Sequence, residues 1–182
     1  YRIEVLADSG AYTRLGAFLP MFTLIMSSGV YDIPNIETAA RSVVTNTTPT
    51  EAYRGAGRPE ASLTIERAVD MFAAEIGMDP AEIRRKNYLQ ASDFPVSTAV
   101  GTEYDSGDYE KSLELALEAA GYSDLRAEQA RRRENKEVVQ LGIGIATYVE
   151  ITAGPAPGGA EYGKVEITSE GKARVYSGSL SH

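Results

Sequence analysis

The sequence predicts an α+β fold in which helices pack on a mixed or antiparallel sheet. Apolar residues recur at helical spacing between about residues 59 and 136, whereas an alternation typical of strands marks the first eight residues and the chain after residue 138. Strands, then helices, then strands, without regular strand–helix–strand alternation, indicate separate layers and not a doubly wound parallel sheet. The change of pattern divides the chain into a first part, 1–137, and a strand-rich part, 138–182.

The first sixty residues predict two strands, a buried helix and a loop. Residues 1–8 alternate as a strand, and residues 36–47 are rich in the β-branched types that favour a second one. Residues 16–28 suit a buried helix, because their apolar run is interrupted too early to cross a membrane. Residues 48–59 contain too much Gly and Pro for a regular element, so we expect a loop there.

The middle of the chain predicts consecutive helices with recognisable first residues. Pro59 suits the first turn of the first helix, and Asp79 and Asp108 are good N-caps for two later ones. We expect these helices near residues 59–76, 81–89 and 109–120, followed by a charged helix that ends near residue 136. Strand patterns then cover 138–151, 161–168 and 173–178, and we expect most of the sheet to come from them.

Composition excludes several classes of function. The formal net charge of −8 argues against a nucleic-acid partner, which needs a basic surface. The basic run 131–133 lies among glutamates, as in a solvated helix face. The chain has no Cys and a single His at its last position, which excludes disulfides, thiolate or iron–sulfur ligation and a Ser-His-Asp triad within it.

The loop Ala52-Tyr53-Arg54-Gly55-Ala56-Gly57-Arg58-Pro59-Glu60-Ala61 is the strongest candidate for a binding site. Two glycines let the backbone approach a ligand closely, and the following helix adds the positive end of its dipole. Arg54 and Arg58 supply planar guanidinium groups for phosphate or oxo groups. The alternative is a tight strand-to-helix connection with two exposed arginines. The spacing is not that of a P-loop, which needs Lys and Ser or Thr after its last Gly.

Two other motifs have plainer explanations. Gly142-Ile143-Gly144 imitates the start of a dinucleotide fingerprint, but Thr147 replaces the third Gly and strand-like residues follow. Asp105 and Asp108 could form a metal pair, whereas capping of the helix that begins at residue 109 explains Asp108 better. We therefore assign no metal ligand in this chain.

The same loop sequence is similar to the one that lies against the molybdenum centre and its pterin in the large subunits of molybdenum hydroxylases. It is nearly a signature of the branch that resembles carbon monoxide dehydrogenase. Further pieces resemble this family in the same order: Gly29-Val30-Tyr31-Asp32-Ile33-Pro34-Asn35, Thr45-Asn46-Thr47-Thr48-Pro49, Ile83-Arg84-Arg85-Lys86-Asn87, Tyr104-Asp105-Ser106-Gly107-Asp108-Tyr109 and Gly142-Ile143-Gly144-Ile145-Ala146.

The resemblance implies an internal piece of a molybdenum-dependent oxidoreductase that hydroxylates a small substrate. It implies a molybdenum–molybdopterin cofactor, in its cytosine dinucleotide form, and electron transfer through iron–sulfur clusters to FAD on partner subunits. It also implies a cytoplasmic location. The resemblance places Arg54 and the N–H groups of the three residues that follow it at the cofactor. Tyr53 is expected to line the pocket and Arg58 to order the loop. The expected cofactor-binding residues are therefore Tyr53, Arg54, Gly55, Ala56, Gly57 and Arg58.

Three departures from the family pattern limit which substrate and which catalytic residue are expected. The copper-binding branch carries Cys directly after the first Arg, where this chain has Gly55, so a copper–molybdenum site is not expected. The purine-oxidising branch carries an aromatic residue at the position of Ala56. An aldehyde or heterocycle is then the expected substrate. The family's catalytic Glu matches no residue here, so no catalytic residue is assigned and the 182 residues alone are expected to be inactive. The alternative is a non-catalytic module for packing and subunit contact.

Overall fold

A computed structural model describes residues 1–151 and 162–178 and has the α+β composition that the sequence predicts. The chain divides into two compact units, residues 1–150 and 151–182. The first unit contains all the helices of the described residues, whereas the strands described in the second form a single hairpin. The division at residues 137 and 138, which rests on the change of sequence pattern, stays a prediction.

The first two strands form a parallel pair. Strand β1 (Arg2–Gly10) pairs with β2 (Glu37–Val44) from Arg2 opposite Glu37 onwards. A 3₁₀ turn (Leu15–Phe18) and helix α1 (Leu19–Ile25) make the crossover. Both predicted strands are confirmed, and the predicted helix at 16–28 is shorter and begins as 3₁₀. The prediction that most of the sheet comes from the chain after residue 138 is wrong for the described residues, because β1 and β2 form a longer pair than any strands described after that point.

Four helices follow the loop after β2, close to their predicted positions. Asp79 caps its helix by accepting hydrogen bonds from two backbone N–H groups, and the Asp108 side chain accepts one from Lys111 N at 3.1 Å. The predicted role of Asp108 as an N-cap is thereby confirmed. Gly121, with φ of 63°, ends one helix and begins the next. The helices are α2 (Arg58–Glu75), α3 (Pro80–Asn87), α4 (Tyr109–Ala120) and α5 (Tyr122–Glu134).

The long connection between α3 and α4 is more ordered than its sequence indicates. It contains a 3₁₀ turn (Ala91–Asp93) and two short antiparallel strands, β3 (Val96–Ser97) and β4 (Glu103–Tyr104). The Tyr104 hydroxyl donates to Gly29 O at 2.9 Å, which ties this connection to the chain ahead of β2.

The core lies where α2, α3 and α4 meet the segment that follows α1. The Tyr31 and Tyr88 rings stack there with their centroids 5.6 Å apart. Each fully buried aliphatic side chain contributes roughly 1.5–3 kcal/mol to folding. The central buried residues are Val30, Tyr31, Ile65, Ala81, Tyr88 and Leu113.

The strand predicted at 138–151 is wrong. These residues pair with no strand in the described part of the chain, although 140–151 run without a turn or bend. The side chains from 141 to 150 alternate between half-buried and exposed, which is the period that the sequence analysis detected. Packing on the helices produces this alternation. The hydrogen bonds of the segment go to side chains and not to a neighbouring strand.

The described part of the second unit contains a hairpin of β5 (Gly163–Ile167) and β6 (Ala173–Ser177), paired antiparallel from Gly163 opposite Ser177. These strands confirm most of the predictions for 161–168 and 173–178, and residue 161 lies outside the described residues. Among the described helices, none has the length and apolar character needed to cross a membrane.

Candidate functional site

The predicted binding loop has an irregular backbone held by two successive tight turns. Gly55, Ala56 and Gly57 all have positive φ, at 100°, 44° and 87°. The N–H of Ala56 donates to Tyr53 O at 2.8 Å, and the N–H of Arg58 donates to Gly55 O at 3.1 Å. The predicted irregular conformation is confirmed, and the two glycines supply the backbone freedom that it requires.

Gly57 fixes the end of this loop against α1. A Cβ atom at Gly57 would lie 2.5 Å from Leu19 O and 2.9 Å from Thr23 N, so only glycine fits without displacing backbone. The Thr23 hydroxyl donates to Gly57 O at 2.9 Å inside this contact. The loop therefore rests on α1 at the point where α2 begins.

Arg58 directs its charge into the protein. Its guanidinium lies over the Phe22 ring, 5.0 Å from the centroid, and its Nη1 donates to Gly55 O at 3.3 Å. Its Nε is buried and lies 3.5 Å from Glu150 Oε1, in an ion pair without a hydrogen bond. These contacts connect the loop to α1 and to the extended segment after α5.

Arg54, by contrast, is exposed and has no ion pair with any described residue. Tyr53 beside it is 89% exposed. The N–H groups of Gly55 and Gly57 have no hydrogen-bond partner among the described residues, whereas the N–H of Ala56 is used within the turn. The loop thus has one exposed guanidinium and two N–H groups without a partner among the described residues, next to the N-terminus of α2, and the N–H of Gly57 lies on a buried residue. A cation and unpaired N–H groups at a helix N-terminus are suited to an anion.

A second polar cluster, which the sequence analysis did not identify, lies in the core between α2 and α3. Arg84 is fully buried and donates from Nε and Nη2 to Glu66 Oε2 at 3.0 and 2.8 Å. Its Nη1 is 2.9 Å from Asp70 Oδ1. A buried arginine survives only with such partners, because an unpaired charge in the interior is costly.

Glu66 gathers donors from distant parts of the chain. Its carboxylate accepts from the N–H of Thr147 at 3.0 Å and from the Tyr31 hydroxyl. Burial, together with the charge of Glu66, raises the pKa of Tyr31, which stays a neutral donor. Arg84 and Tyr31 both lie in segments that resemble the family, and Arg84 is buried on α3 together with Ala81 and Ile83. All these groups are used within the protein, so the cluster is structural.

Comparison with known proteins assigns the chain to a family. A sequence profile of the molybdopterin cofactor-binding domain matches residues 1–88, which contain the loop. The carbon monoxide dehydrogenase large chain of Hydrogenophaga pseudoflava is 42% identical over 161 residues, which is 85% of this chain and 20% of the relative. The chain belongs to the molybdenum hydroxylase family. The chain spans about a fifth of the length of the curated relatives that it matches.

Other members of the molybdenum hydroxylase family agree in sequence and in fold. The 6-hydroxypseudooxynicotine dehydrogenase complex subunit gamma of Paenarthrobacter nicotinovorans is 33% identical over 98% of this chain and 22% of its own length. Reconstituted CO dehydrogenase from Oligotropha carboxidovorans superposes with a TM-score of 0.85 and 31% identity, over 99% of this chain and 24% of that one. Quinoline 2-oxidoreductase from Pseudomonas putida 86 gives a TM-score of 0.85 with 28% identity over the same shares.

Proposed function

We propose that the loop 53–58 binds the anionic molybdopterin cofactor of an oxidoreductase that hydroxylates a small substrate. The observation that carries this proposal is the backbone of the loop. Three consecutive residues with positive φ hold a free guanidinium and two free N–H groups at the start of α2, within the residues that match the cofactor-binding profile. Fixed donors of this kind stabilise an anion without reorganising when it binds.

Each residue of the loop has a distinct part in this proposal. Arg54 supplies the cation that meets the anionic cofactor, and Gly55 and Gly57 supply N–H donors beside it. Tyr53 lines the pocket, Ala56 shapes the turn, and Arg58 orders the loop through Phe22 and Glu150. When bound, the cofactor would supply the two-electron oxidation of a carbon centre. This chain provides the charge and the fixed backbone that orient it.

The finer features extend the same proposal to the whole polypeptide. We propose the cytosine dinucleotide form of the cofactor, contacts with the rest of a large subunit, and iron–sulfur and FAD-carrying partner subunits in the cytoplasm. The resemblance implies that Gly55 stands where the copper-binding branch has a cysteine, so we propose an aldehyde or heterocycle as substrate and not carbon monoxide. A relative named as a subunit of a dehydrogenase complex supports the multi-subunit assembly. The catalytic base is assigned to no residue of this chain.

Substitution of Arg54 in the complete large subunit tests the proposed role of the loop. We expect Arg54→Ala to lower turnover per molybdenum atom by on the order of a hundredfold or more, with a nearly unchanged melting temperature. Arg54→Lys is expected to rescue poorly, because an ammonium cannot reproduce the planar guanidinium. Arg132→Ala, on the charged face of α5, is the matched control and is expected to change little.

The outcomes of this experiment separate catalysis from a purely structural role. Full activity of Arg54→Ala at normal molybdenum content would remove this residue from the site. Absence of both molybdenum and pterin from the purified, unsubstituted large subunit would favour the alternative of a non-catalytic packing module. Copper analysis of the same material is expected to find no copper, because Gly55 cannot bind it as a cysteine would.

A further inference from the structure

The extended segment 141–150 presents two different backbone edges. In an extended chain, the N–H and C=O groups of successive residues point to opposite edges. The odd-numbered edge faces the helices: Leu141 O accepts from Gln129 Nε2 at 2.9 Å, and Ile145 O accepts from Arg84 Nη2 at 2.8 Å. The N–H of Thr147 donates to Glu66. Side chains here occupy the place that a neighbouring strand takes in a sheet.

The even-numbered edge is open. Gly142, Gly144, Ala146 and Tyr148 make no backbone hydrogen bond with any described residue. Residues 141–149 contain no charged residue and no Pro, which are the features that normally protect a free strand edge from pairing. A long, straight and uncharged edge of this kind is suited to main-chain pairing.

We propose that this open edge is an interaction surface for one further β-strand, contributed by the remainder of a large subunit. The donors and acceptors at every second residue select an extended polypeptide, because only another strand matches their spacing. The relatives are about five times longer than this chain, which spans 20% of their length. Further polypeptide that could supply such a strand therefore exists in them.

The side chains around the edge define what the incoming strand carries. A Cβ atom added at Gly142 or Gly144 would meet nothing within 4 Å, so the outer face of the segment is bare backbone at these two positions. Residues 141–146 also line a half-open apolar cavity of about 400 Å³ against α4 and α5. We therefore expect a strand of alternating character, with apolar side chains towards α4 and α5 and β-branched or aromatic ones covering the glycines.

A pair of substitutions at Gly144 tests the proposal in two proteins, the 182-residue chain and the large subunit that contains it. Gly144→Pro removes one N–H donor from the open edge, whereas Gly144→Ala keeps this donor while also replacing the glycine by a residue with a side chain. In the unsubstituted proteins, we expect the amides of residues 142, 144, 146 and 148 to exchange at least about tenfold more slowly in the large subunit than in the chain. In the large subunit, Gly144→Pro is expected to abolish this protection at residues 142, 146 and 148, and Gly144→Ala is expected to keep it.

Thermal unfolding of the same variants supplies the control, since Gly144 N–H has no partner among the described residues. Gly144→Pro is expected to lower the melting temperature of the large subunit while leaving that of the chain nearly unchanged. Equal losses in both proteins, or fast exchange in both, would overturn the proposal. Slow exchange in the 182-residue chain would also overturn it: a dimeric mass would then identify a second copy as the partner, and a monomeric mass another segment of the same chain.

Discussion

At position 57, the backbone conformation and the close approach of α1 both disfavour a side chain. Its φ of 87° costs a side chain roughly 1–2 kcal/mol in the left-handed region, and its missing Cβ also makes room for the backbone of α1. Gly77 has a similar φ of 65°, but an added Cβ there would meet nothing within 4 Å. Substitutions at the two positions therefore distinguish the cost of a positive φ from the cost of a steric clash.

We predict that Gly57→Ala destabilises the chain by about 1–3 kcal/mol more than Gly77→Ala does. Gly77→Ala carries the strain of positive φ alone, whereas Gly57→Ala must also displace Leu19 O. Urea unfolding of the two variants and the parent measures the difference. Equal losses would mean that α1 moves aside at no cost, and the contact would then not fix the loop.

The buried pair of Arg84 and Glu66 gives a second prediction at this scale. We expect Arg84→Met to cost about 3–5 kcal/mol, because it leaves the Glu66 carboxylate buried without its cation. Arg131→Ala is the control: Arg131 pairs with Glu128 and Glu137 at the surface, and its removal is expected to cost at most about 1 kcal/mol.

A double variant tests the cause of that loss. Adding Glu66→Gln to Arg84→Met removes the stranded charge, so we expect it to recover part of the free energy of unfolding. A double variant as unstable as the sum of its single variants would show that packing, and not charge, accounts for the effect.

Among the elements, the helices could be predicted because the determinants of each lie within its own sequence. Asp79 before α3 and Asp108 before α4 cap the starts of these helices, Pro80 is the first residue of α3, and Gly121 separates α4 from α5. The parallel register of β1 and β2 could not be predicted, since it depends on a crossover through α1 that brings distant residues together. The strand predicted at 138–151 was wrong for the same reason, since the segment depends on distant residues. Its hydrogen-bond partners are side chains of α2, α3 and α5.

The N-cap residues of α3 and α4 differ in how much else depends on them. Asp79 accepts from Ala81 N at 2.8 Å, from the Tyr122 hydroxyl at 3.0 Å, and lies 3.2 Å from Arg126 Nε. We predict that Asp79→Ala costs about 1–2 kcal/mol and Asp108→Ala about half as much. Chemical unfolding of both variants provides the comparison, and the reverse order would contradict the prediction.

Ionisation of two half-buried tyrosines makes the stability of the whole molecule depend on alkaline pH. Burial raises the pKa of Tyr109 and of Tyr122 to about 12, and a hydrogen bond to Asp79 adds to the effect at Tyr122. Since both folded-state values lie above the ordinary value of 10.0, their contribution is complete below pH 10 and declines as pH rises towards 12.

We therefore predict a melting temperature that falls between about pH 10 and pH 12. The double variant Tyr109→Phe with Tyr122→Phe is expected to lose less of its stability over this range, because neither ring can ionise. Scanning calorimetry at steps of pH from 8 to 12 measures both proteins. Parallel curves for the parent and the variant would exclude these two residues as the cause.

The candidate site was only partly predictable for reasons that concern the molecule as a whole. Glycine spacing and the helix start located the loop and its positive φ angles. Arg54 and Arg58, however, look equivalent in the sequence. The structure separates them because Phe22 and Glu150, which receive Arg58, come from opposite ends of the first unit. No local pattern contains that information.

The carboxylate of Glu66 also has a consequence for the order of folding. Three of its contacts, to Tyr31, Arg84 and Thr147, join residues 35, 18 and 81 positions away along the chain. The helices α2 and α3 can dock early and pair Glu66 with Arg84, but the donor from Thr147 arrives only after a long loop has closed. We infer that docking of the segment 141–150 is a late, slow event. A polypeptide shortened to residue 137 would lack the N–H of Thr147 and leave this carboxylate with fewer donors.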